Sequence, residues 1–251
     1  MAIDQNMPID VVIPCGEKDV GTLDTVIRHA QQHIHDIGTV YVVSPRQFTD
    51  SAAWVSDDAF PFRLDDIRGY IGDHPRGRWY LQQLIKLYVH RVIPGLSRQF
   101  LINDAETIWY QPVRFVDEDG RGLYCVSDEK SAFYYSHMCR LLPSLSGFPM
   151  GIHPKMSGIV HHMLFDQEIL EDIFREAEEA HRMPFWRAFM AMVYPQQVYG
   201  GASEYEIYFC FAFAKYPDRV CLRHLDWGLS DHVPSESTKA FLTAHAHLRR
   251  G

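Results

Sequence analysis

Gln99-Phe-Leu-Ile-Asn-Asp-Ala-Glu-Thr-Ile-Trp-Tyr-Gln-Pro112 is the stretch whose reading decides the fold. Phe100 to Ile102 is a short apolar run that reads as a buried strand, and it leads straight into Asn103-Asp104-Ala105-Glu106. Side chains two apart on an extended segment point the same way, so Asp104 and Glu106 are expected to face one space. At neutral pH a cation between them would relieve their repulsion. Hard carboxylate oxygens suit Mg²⁺ or Mn²⁺, ions that often bind phosphate at the same time. The plainer alternative is a pair of solvated acids at a strand end, and the surroundings must decide.

Upstream, Ile9-Asp-Val-Val-Ile-Pro14 is an apolar strand stopped by proline. Asp19 reads as the N-cap of an amphipathic helix from Gly21 to Ile34, with Leu23, Val26, Ile27 and Ala30 on one face. After Gly38, Thr39-Val-Tyr-Val-Val43 is a second continuous apolar strand. Strand, helix, strand is a βαβ unit, which implies parallel pairing. Runs without alternation fit strands covered on both faces. Ligands of such sheets gather beyond the C-terminal strand ends, so Pro14 to Asp19, Ser44 to Arg46 and Asp104 to Glu106 are placed on one rim. Residues 47 to 75 are irregular, with Phe60 to Leu64 a short strand. Gly77 to Val92 is a helix with Leu81, Leu84, Ile85, Tyr88 and Val92 as its apolar stripe. Arg78, Gln82 and Lys86 recur every four residues on another side, either as a solvated basic edge or as anion ligands.

Downstream, Pro112 to Phe115 and Gly122 to Val126 read as a hairpin around Asp117-Glu-Asp-Gly-Arg-Gly122. Ser131 to Leu142 is a helix and Gly158 to Phe165 a strand. Asp166 caps a helix running to Ala180, and Met183 to Val193 is a further helix opening on proline. Ser203 starts a helix from Glu204 to Lys215 and Arg219 to His224 is a last strand. The polar tail from residue 235 is helical in part. The pattern is one domain over residues 1–251, with a first half at about 8–115, a second at about 116–232 and a tail at 233–251.

Composition narrows the function classes. Hydrophobic residues make up 47% of the 251, enough for one large core. The formal charge of −8 argues against a nucleic-acid partner, though not against a nucleotide, whose phosphate site is local. Five scattered cysteines without a Cys-x-x-Cys pair point to reduced thiols. No stretch is expected to span a bilayer and Met1-Ala-Ile-Asp-Gln5 has no signal-peptide layout, so a cytoplasmic protein is expected. The oligomeric state is open.

Pro14 with Asp19, Arg78 to Leu87, Asp104-Ala-Glu106, Ser157 to Phe165 and Gly201-Ala-Ser-Glu-Tyr-Glu206 follow in an order that resembles a nucleotide-diphospho-sugar glycosyltransferase of GT-A fold, similar to bacterial and viral polysaccharide-assembly transferases of a DUF6492-like group. The resemblance covers residues 8 to 228 and implies an α/β fold with a mixed, mainly parallel central sheet flanked by helices and a small acceptor-side hairpin and helical part. The family's usual Asp-x-Asp stands here as Asp104-Ala-Glu106, whose longer second arm alters the metal geometry.

The resemblance further implies a nucleotide-diphospho-sugar donor, bridged by Mn²⁺ or Mg²⁺ to Asp104 and Glu106, with Lys86, Arg78 and Gln82 on the phosphates. Pro14 and Asp19 would hold base and ribose, Asp19 having a plain helix cap as its alternative. The acceptor would be a glycan or a lipid-linked saccharide, the latter allowing peripheral contact at the inner face of a membrane.

Ser203-Glu-Tyr-Glu206 fits a capping box in which Glu206 reaches back to Ser203. Glu204 is then free in the first turn to act as general base of an inverting transfer, or simply to complement the helix end. His161 and His162 are adjacent on a strand, so one faces the rim, toward acceptor sugar or metal, or is a packed histidine. Glu206 and Trp227 belong with the acceptor side. His224 and Asp226 are alternatives for completing the site, and Trp227 and Trp186 are candidates for sugar stacking. Two rival readings are a sugar-phosphate nucleotidyltransferase, whose glycine-rich opening loop Cys15-Gly-Glu-Lys-Asp19 lacks, and an inactive glycan-binding protein.

Overall fold

The apolar runs become the strands of one sheet. A computed structural model of the chain describes residues 8–147 and 157–244. In chain order these comprise β1 (Ile9–Pro14), α1 (Val20–His33), β2 (Ile37–Ser44), β3 (Ala53–Ser56), α2 (Leu64–Ile71), α3 (Gly77–Val92), β4 (Gln99–Asn103), β5 (Thr107–Trp109) and β6 (Gly122–Tyr124). They continue with α4 (Ala132–Leu141), β7 (His162–Asp166), α5 (Gln167–His181), α6 (Phe185–Ala191), α7 (Glu204–Lys215), β8 (Val220–Leu222), β9 (Trp227–Leu229) and β10 (Phe241–Thr243).

The central sheet has the order β3-β2-β1-β4-β7. β1 pairs in parallel with both β2 and β4, β2 with β3 likewise, and only β7 is antiparallel. Every residue of β1, and Phe100 to Asn103 of β4, is buried. That accounts for the unalternating apolar runs, since helices cover both faces. The parallel direction gathers the ends of β1, β2, β3 and β4 on one rim, and the reversed β7 delivers its first residues to the same rim. A second sheet, β5-β10-β9, begins where the chain turns out of β4. Beyond Glu204 and Glu206 in its first turn, α7 is apolar on all sides and buried through Ala212, as a helix segment without a polar face must be.

Several local expectations are corrected. Phe60 to Leu64 is not a strand: Phe60 and Phe62 are buried in coil, and β3 and α2 lie on either side. The hairpin over 112–126 shrinks to one antiparallel bridge, Val116 to Gly122, because β6 finds a parallel partner in β8 instead. On α3, Leu81 and Val92 are only half-buried, whereas Tyr80, Gln83, Lys86, Leu87 and Val89 are buried. Helices packed on two sides bury more than one stripe. The tail forms β10 rather than a helix through residue 244, and residues 245–251 and the N-terminal pentapeptide lie outside the described residues. Before α7, Gly158 lets the chain approach closely: a Cβ there would fall 2.5 Å from the Phe209 Cβ, inside van der Waals contact.

Candidate active site

The rim is built from strand ends. The turn after β4 is closed by the Thr107 amide donating to the Asp104 carbonyl at 2.9 Å. Asn103 pins it, its amide nitrogen donating to the carbonyls of Asp104 and Thr107, both at 3.0 Å, while its side-chain oxygen accepts from the Trp109 indole at 2.9 Å. Asp104-Ala-Glu106 is therefore a tight turn and not extended, and the expectation that its two carboxylates point one way because they alternate along a strand is corrected.

Each acid has its own surroundings. Oδ1 of Asp104 lies 2.6 Å from Lys86 Nζ and accepts from the Tyr205 hydroxyl at 2.8 Å; Oδ2 lies 3.5 Å from His161 Nδ1. Lys86 also meets Glu204 Oε1 at 2.6 Å and lies 4.2 Å above the Tyr205 ring. Lys86 and Glu204 are 4% and 5% exposed, so one ammonium is enclosed between two carboxylates, giving this trio a net charge of −1 when all three are ionised. Burial alone would depress the lysine, but Asp104 and Glu204 outweigh it and hold the ammonium above its usual range. Burial pushes the Asp104 carboxyl up, and Lys86 and His161 more than reverse that, holding it well below the carboxylate range. Glu106 is 12% exposed and lies 3.9 Å from Lys18, which also reaches Asp19 at 3.4 Å.

α3 crosses this rim. Lys86 stands at the end of β4, Gln82 donates to the Pro14 carbonyl at the end of β1 at 3.4 Å, and the charge of Arg78 acts on Asp57, just past β3. From Arg78 to Lys86 the helix rises about 12 Å and the three spacings from β3 to β4 span about 14 Å, so this face of α3 reaches from one strand end to the other, passing over β2. Arg78 is exposed there and Gln82 half-buried. Asp19 is buried at the start of α1 with no side-chain cap bond, and its carbonyl accepts from Thr22, whose hydroxyl also reaches the Ala105 carbonyl at 3.5 Å.

Other expected residues divide clearly. His161 sits before β7 with a left-handed φ of 62°, and this backbone turn sends the two histidines to different environments. His161 meets Asp104 and, edge-on at 5.8 Å, Trp227, which stacks on Phe241. His162 is enclosed by Trp109, Phe115 and Phe241, its Nδ1–H donating to the Val160 carbonyl at 3.0 Å, so it packs the core and faces no ligand. Glu204 is not the free first-turn carboxylate expected. Glu206 does not reach back to Ser203; its carboxylate accepts from the Gly158 amide at 2.8 Å and the Ser157 hydroxyl at 3.2 Å, while Ser203 still accepts from the Glu206 amide. Burial raises the Glu206 carboxyl. Trp186 is buried against Phe62 and Tyr70, Asp226 pairs with Lys239, and His224 is exposed.

Gln83, Tyr205 and Lys18 complete the rim and were not read from the sequence. Gln83 Oε1 accepts from the Glu204 amide at 3.1 Å, tying α3 to α7. A glutamine inside an apolar stripe, and a tyrosine between two glutamates on a helix with no polar face, were the available signals.

The fit of a divalent ion follows from the donors. Among the described residues no trio of His, Cys, Asp or Glu is gathered around one point. The carboxylates of Asp104 and Glu106 are hard oxygen donors of the chemistry that holds Mg²⁺ or Mn²⁺ together with phosphates and water, and they do not form an ion site caged by protein alone.

The family model for DUF6492, a family of unknown function, matches residues 12–239. The chain belongs to DUF6492. No curated protein sequence matches it. Among solved structures, this DUF6492 chain resembles the galactosyltransferase LgtC in complex with donor and acceptor sugar analogs, with a TM-score of 0.50 and 10% identity, over 94% of this chain and 86% of that one. Mouse xyloside xylosyltransferase 1 in its apo form gives 0.45 and 11%, over 97% and 99%. At such identity the LgtC match speaks for the fold, the mixed α/β GT-A architecture, in which the DUF6492 rim lies beyond the C-terminal ends of the parallel strands.

Buried histidines set one measurable property of the whole chain. Burial lowers His162 to about 3 and His137 to about 4, from 6.5. Below pH 6.5 the unfolded chain takes up protons that these two refuse in the fold, so stability falls with falling pH until the folded values are reached. Each histidine should contribute a slope of about 1.4 kcal/mol per pH unit in that window. Urea midpoints are expected to drop between pH 7 and about pH 5, and a pH-independent midpoint would contradict it.

Proposed function

We propose that this chain is a glycosyltransferase that moves a sugar from a nucleotide-diphospho-sugar to a glycan or lipid-linked saccharide acceptor, with help from Mn²⁺ or Mg²⁺. The observation that carries the reading is the Asp104-Ala-Glu106 turn at the C-terminal end of β4, with the buried Lys86 behind it. The GT-A fold supports it. Open sheets of this kind bind ligands where parallel strands end.

In this reading the rim beyond β1, Pro14 to Asp19, holds base and ribose. The diphosphate lies by Arg78 and Gln82 on α3, toward Asp104 and Glu106, and the enclosed Lys86, expected from the sequence to hold the phosphates directly, acts on it through Asp104. A divalent ion bound there would neutralise charge that develops on the departing nucleoside diphosphate. Lys86 holds Asp104 in one orientation, since Oδ1 is committed to Lys86 and Tyr205 and only Oδ2 is directed elsewhere. Glu204, first read as the base, is enclosed with Lys86, so its proposed part is to hold that lysine. His161 and Trp227, side by side at the rim, take the acceptor-side roles, His161 as the group nearest an incoming hydroxyl. Transfer with inversion is the mechanism we favour for such a site.

The test is calorimetric titration of nucleoside diphosphates and a panel of nucleotide-sugars, with and without Mn²⁺. Binding that tightens at least tenfold with the ion is expected, since hard phosphate and carboxylate oxygens share the cation. Absence of nucleotide binding in either condition would end the proposal.

A further inference from the structure

We propose a saccharide-binding shelf outside the Asp104 cluster, formed by Tyr199, Trp79 and Tyr134 with His74 and Arg76 at its edge. It rests on the glycosyltransferase reading only in naming the acceptor's reducing or non-reducing extension as its natural occupant.

Tyr199 is 71% exposed, the highest exposure among the large hydrophobic side chains of the described residues. An exposed ring is ordinary, but the backbone carrying this one is fixed at three points. The buried Tyr80 hydroxyl donates to the Val198 carbonyl at 2.8 Å and accepts from the Gly201 amide at 3.2 Å. Arg76 Nε donates to the Tyr199 carbonyl itself at 2.9 Å. Gly201 makes this close approach possible, because a Cβ there would fall 2.8 Å from the Tyr80 hydroxyl and 2.9 Å from the Gln197 carbonyl. The chain thus anchors residues 198–201 firmly while leaving the Tyr199 ring in solvent. A backbone held in place before binding leaves only the ring's own rotation to be lost when a ligand covers it.

The neighbours suit a sugar. His74 packs edge-on to Tyr199 at 4.5 Å, the Arg76 guanidinium lies 4.4 Å over the Trp79 ring, and Tyr134 comes within 3.8 Å of the position a Gly200 Cβ would occupy. The Tyr199 face, bordered by the His74 imidazole, with the Arg76 guanidinium stacked on Trp79 beside it, matches a pyranose, with its apolar C–H face and hydroxyl rim. The shelf is also continuous with the site: Glu204 and Glu206 both act electrostatically on Tyr134, and Arg76 opens the helix that carries Lys86. An acceptor threaded past α7 would meet these rings one or more sugar units away from the transferred residue.

The experiment is binding of cellotetraose, maltotetraose, chitotetraose and lactose, followed by saturation-transfer NMR and tryptophan fluorescence, on the wild type, Tyr199→Phe and Tyr199→Ala. At least one tetrasaccharide is expected to bind. Tyr199→Ala should weaken it about tenfold, the loss of one stacked ring, and Tyr199→Phe should retain it. Nucleoside diphosphate affinity, measured on the same samples, should change less than twofold with either variant, an order-of-magnitude bound set by their separation from the rim. Saccharide binding that depends on Tyr199 without nucleotide binding would leave the shelf standing and remove the donor reading. No saccharide binding, equal binding in wild type and Tyr199→Ala, or a change only in self-association by sedimentation would overturn the shelf.

Discussion

Lys86→Met is expected to destabilise the fold by about 3–5 kcal/mol, since it strands two buried carboxylates that share one cation. For a chain of this length that is a fall in Tm of roughly 10 °C. In the wild type, Lys86 is raised from 10.5 and Asp104 lowered from 3.8. The lysine's contribution is complete below its unfolded value and lost as pH rises through its higher folded one. The aspartate's is present above its unfolded value and lost as pH falls through its lower folded one. Their joint contribution is therefore greatest between about pH 4 and pH 10.5.

Without Lys86, only His161 and the Tyr205 hydroxyl still favour the ionised Asp104 against burial, so the variant's deficit should grow from acid to neutral pH. Lys86→Met with Glu204→Gln should recover part of the loss, because the second change removes a charge that the first left unpaired. Chemical denaturation across pH decides it. A deficit under about 1 kcal/mol, the size of an exposed pair, would mean that the trio is solvated.

Asp104→Asn is the change expected to cost most in activity. The asparagine oxygen still accepts from Tyr205, and Lys86 keeps Glu204, so the fold should lose only about 1–3 kcal/mol. The amide cannot serve as an anionic oxygen donor to a divalent ion. Transfer is expected to fall by about 100-fold or more, the equivalent of several kcal/mol of lost charge stabilisation, and the Mn²⁺ dependence of nucleotide binding should vanish. Glu106→Gln should act in the same direction more weakly, its carboxylate lying by Lys18 at the open edge of the rim. Transfer within tenfold of wild type in Asp104→Asn would remove the metal role, an order-of-magnitude threshold of about 1.4 kcal/mol.

β1, β2, β4 and β7 were legible because an uninterrupted apolar run admits few other readings, whereas the edge strand β3, Ala53–Ser56, was missed because it is largely exposed and carries no such run. α3 and α7 were legible to the residue, α3 from its recurring apolar positions and α7 from the Ser203 cap at its start. Phe60 to Leu64 misled because buried aromatics in coil look like a strand when their partners are unknown. The hairpin at 112–126 misled because pairing with β8, about a hundred residues on, outcompetes the local turn. In the site, the position of Asp104 and Glu106 at a strand end was readable, but the assumption of extended backbone between them was not sound. Asn103, reaching two carbonyls ahead of it, makes that segment a turn.

The sequence by itself determined a mainly parallel sheet, a rim where its strands end, and a helix with Arg78, Gln82 and Lys86 at a period of four. These follow from periodicity and caps, which act over a few residues. Only the tertiary structure decided that Lys86 closes between Asp104 and Glu204, that His161 faces the rim while His162 packs the core, and that Glu206 holds Gly158. Lys86 and Glu204 are 118 residues apart in the chain. A contact of that kind is set by how helices dock on the sheet, and no local pattern of residues encodes which charge will meet which.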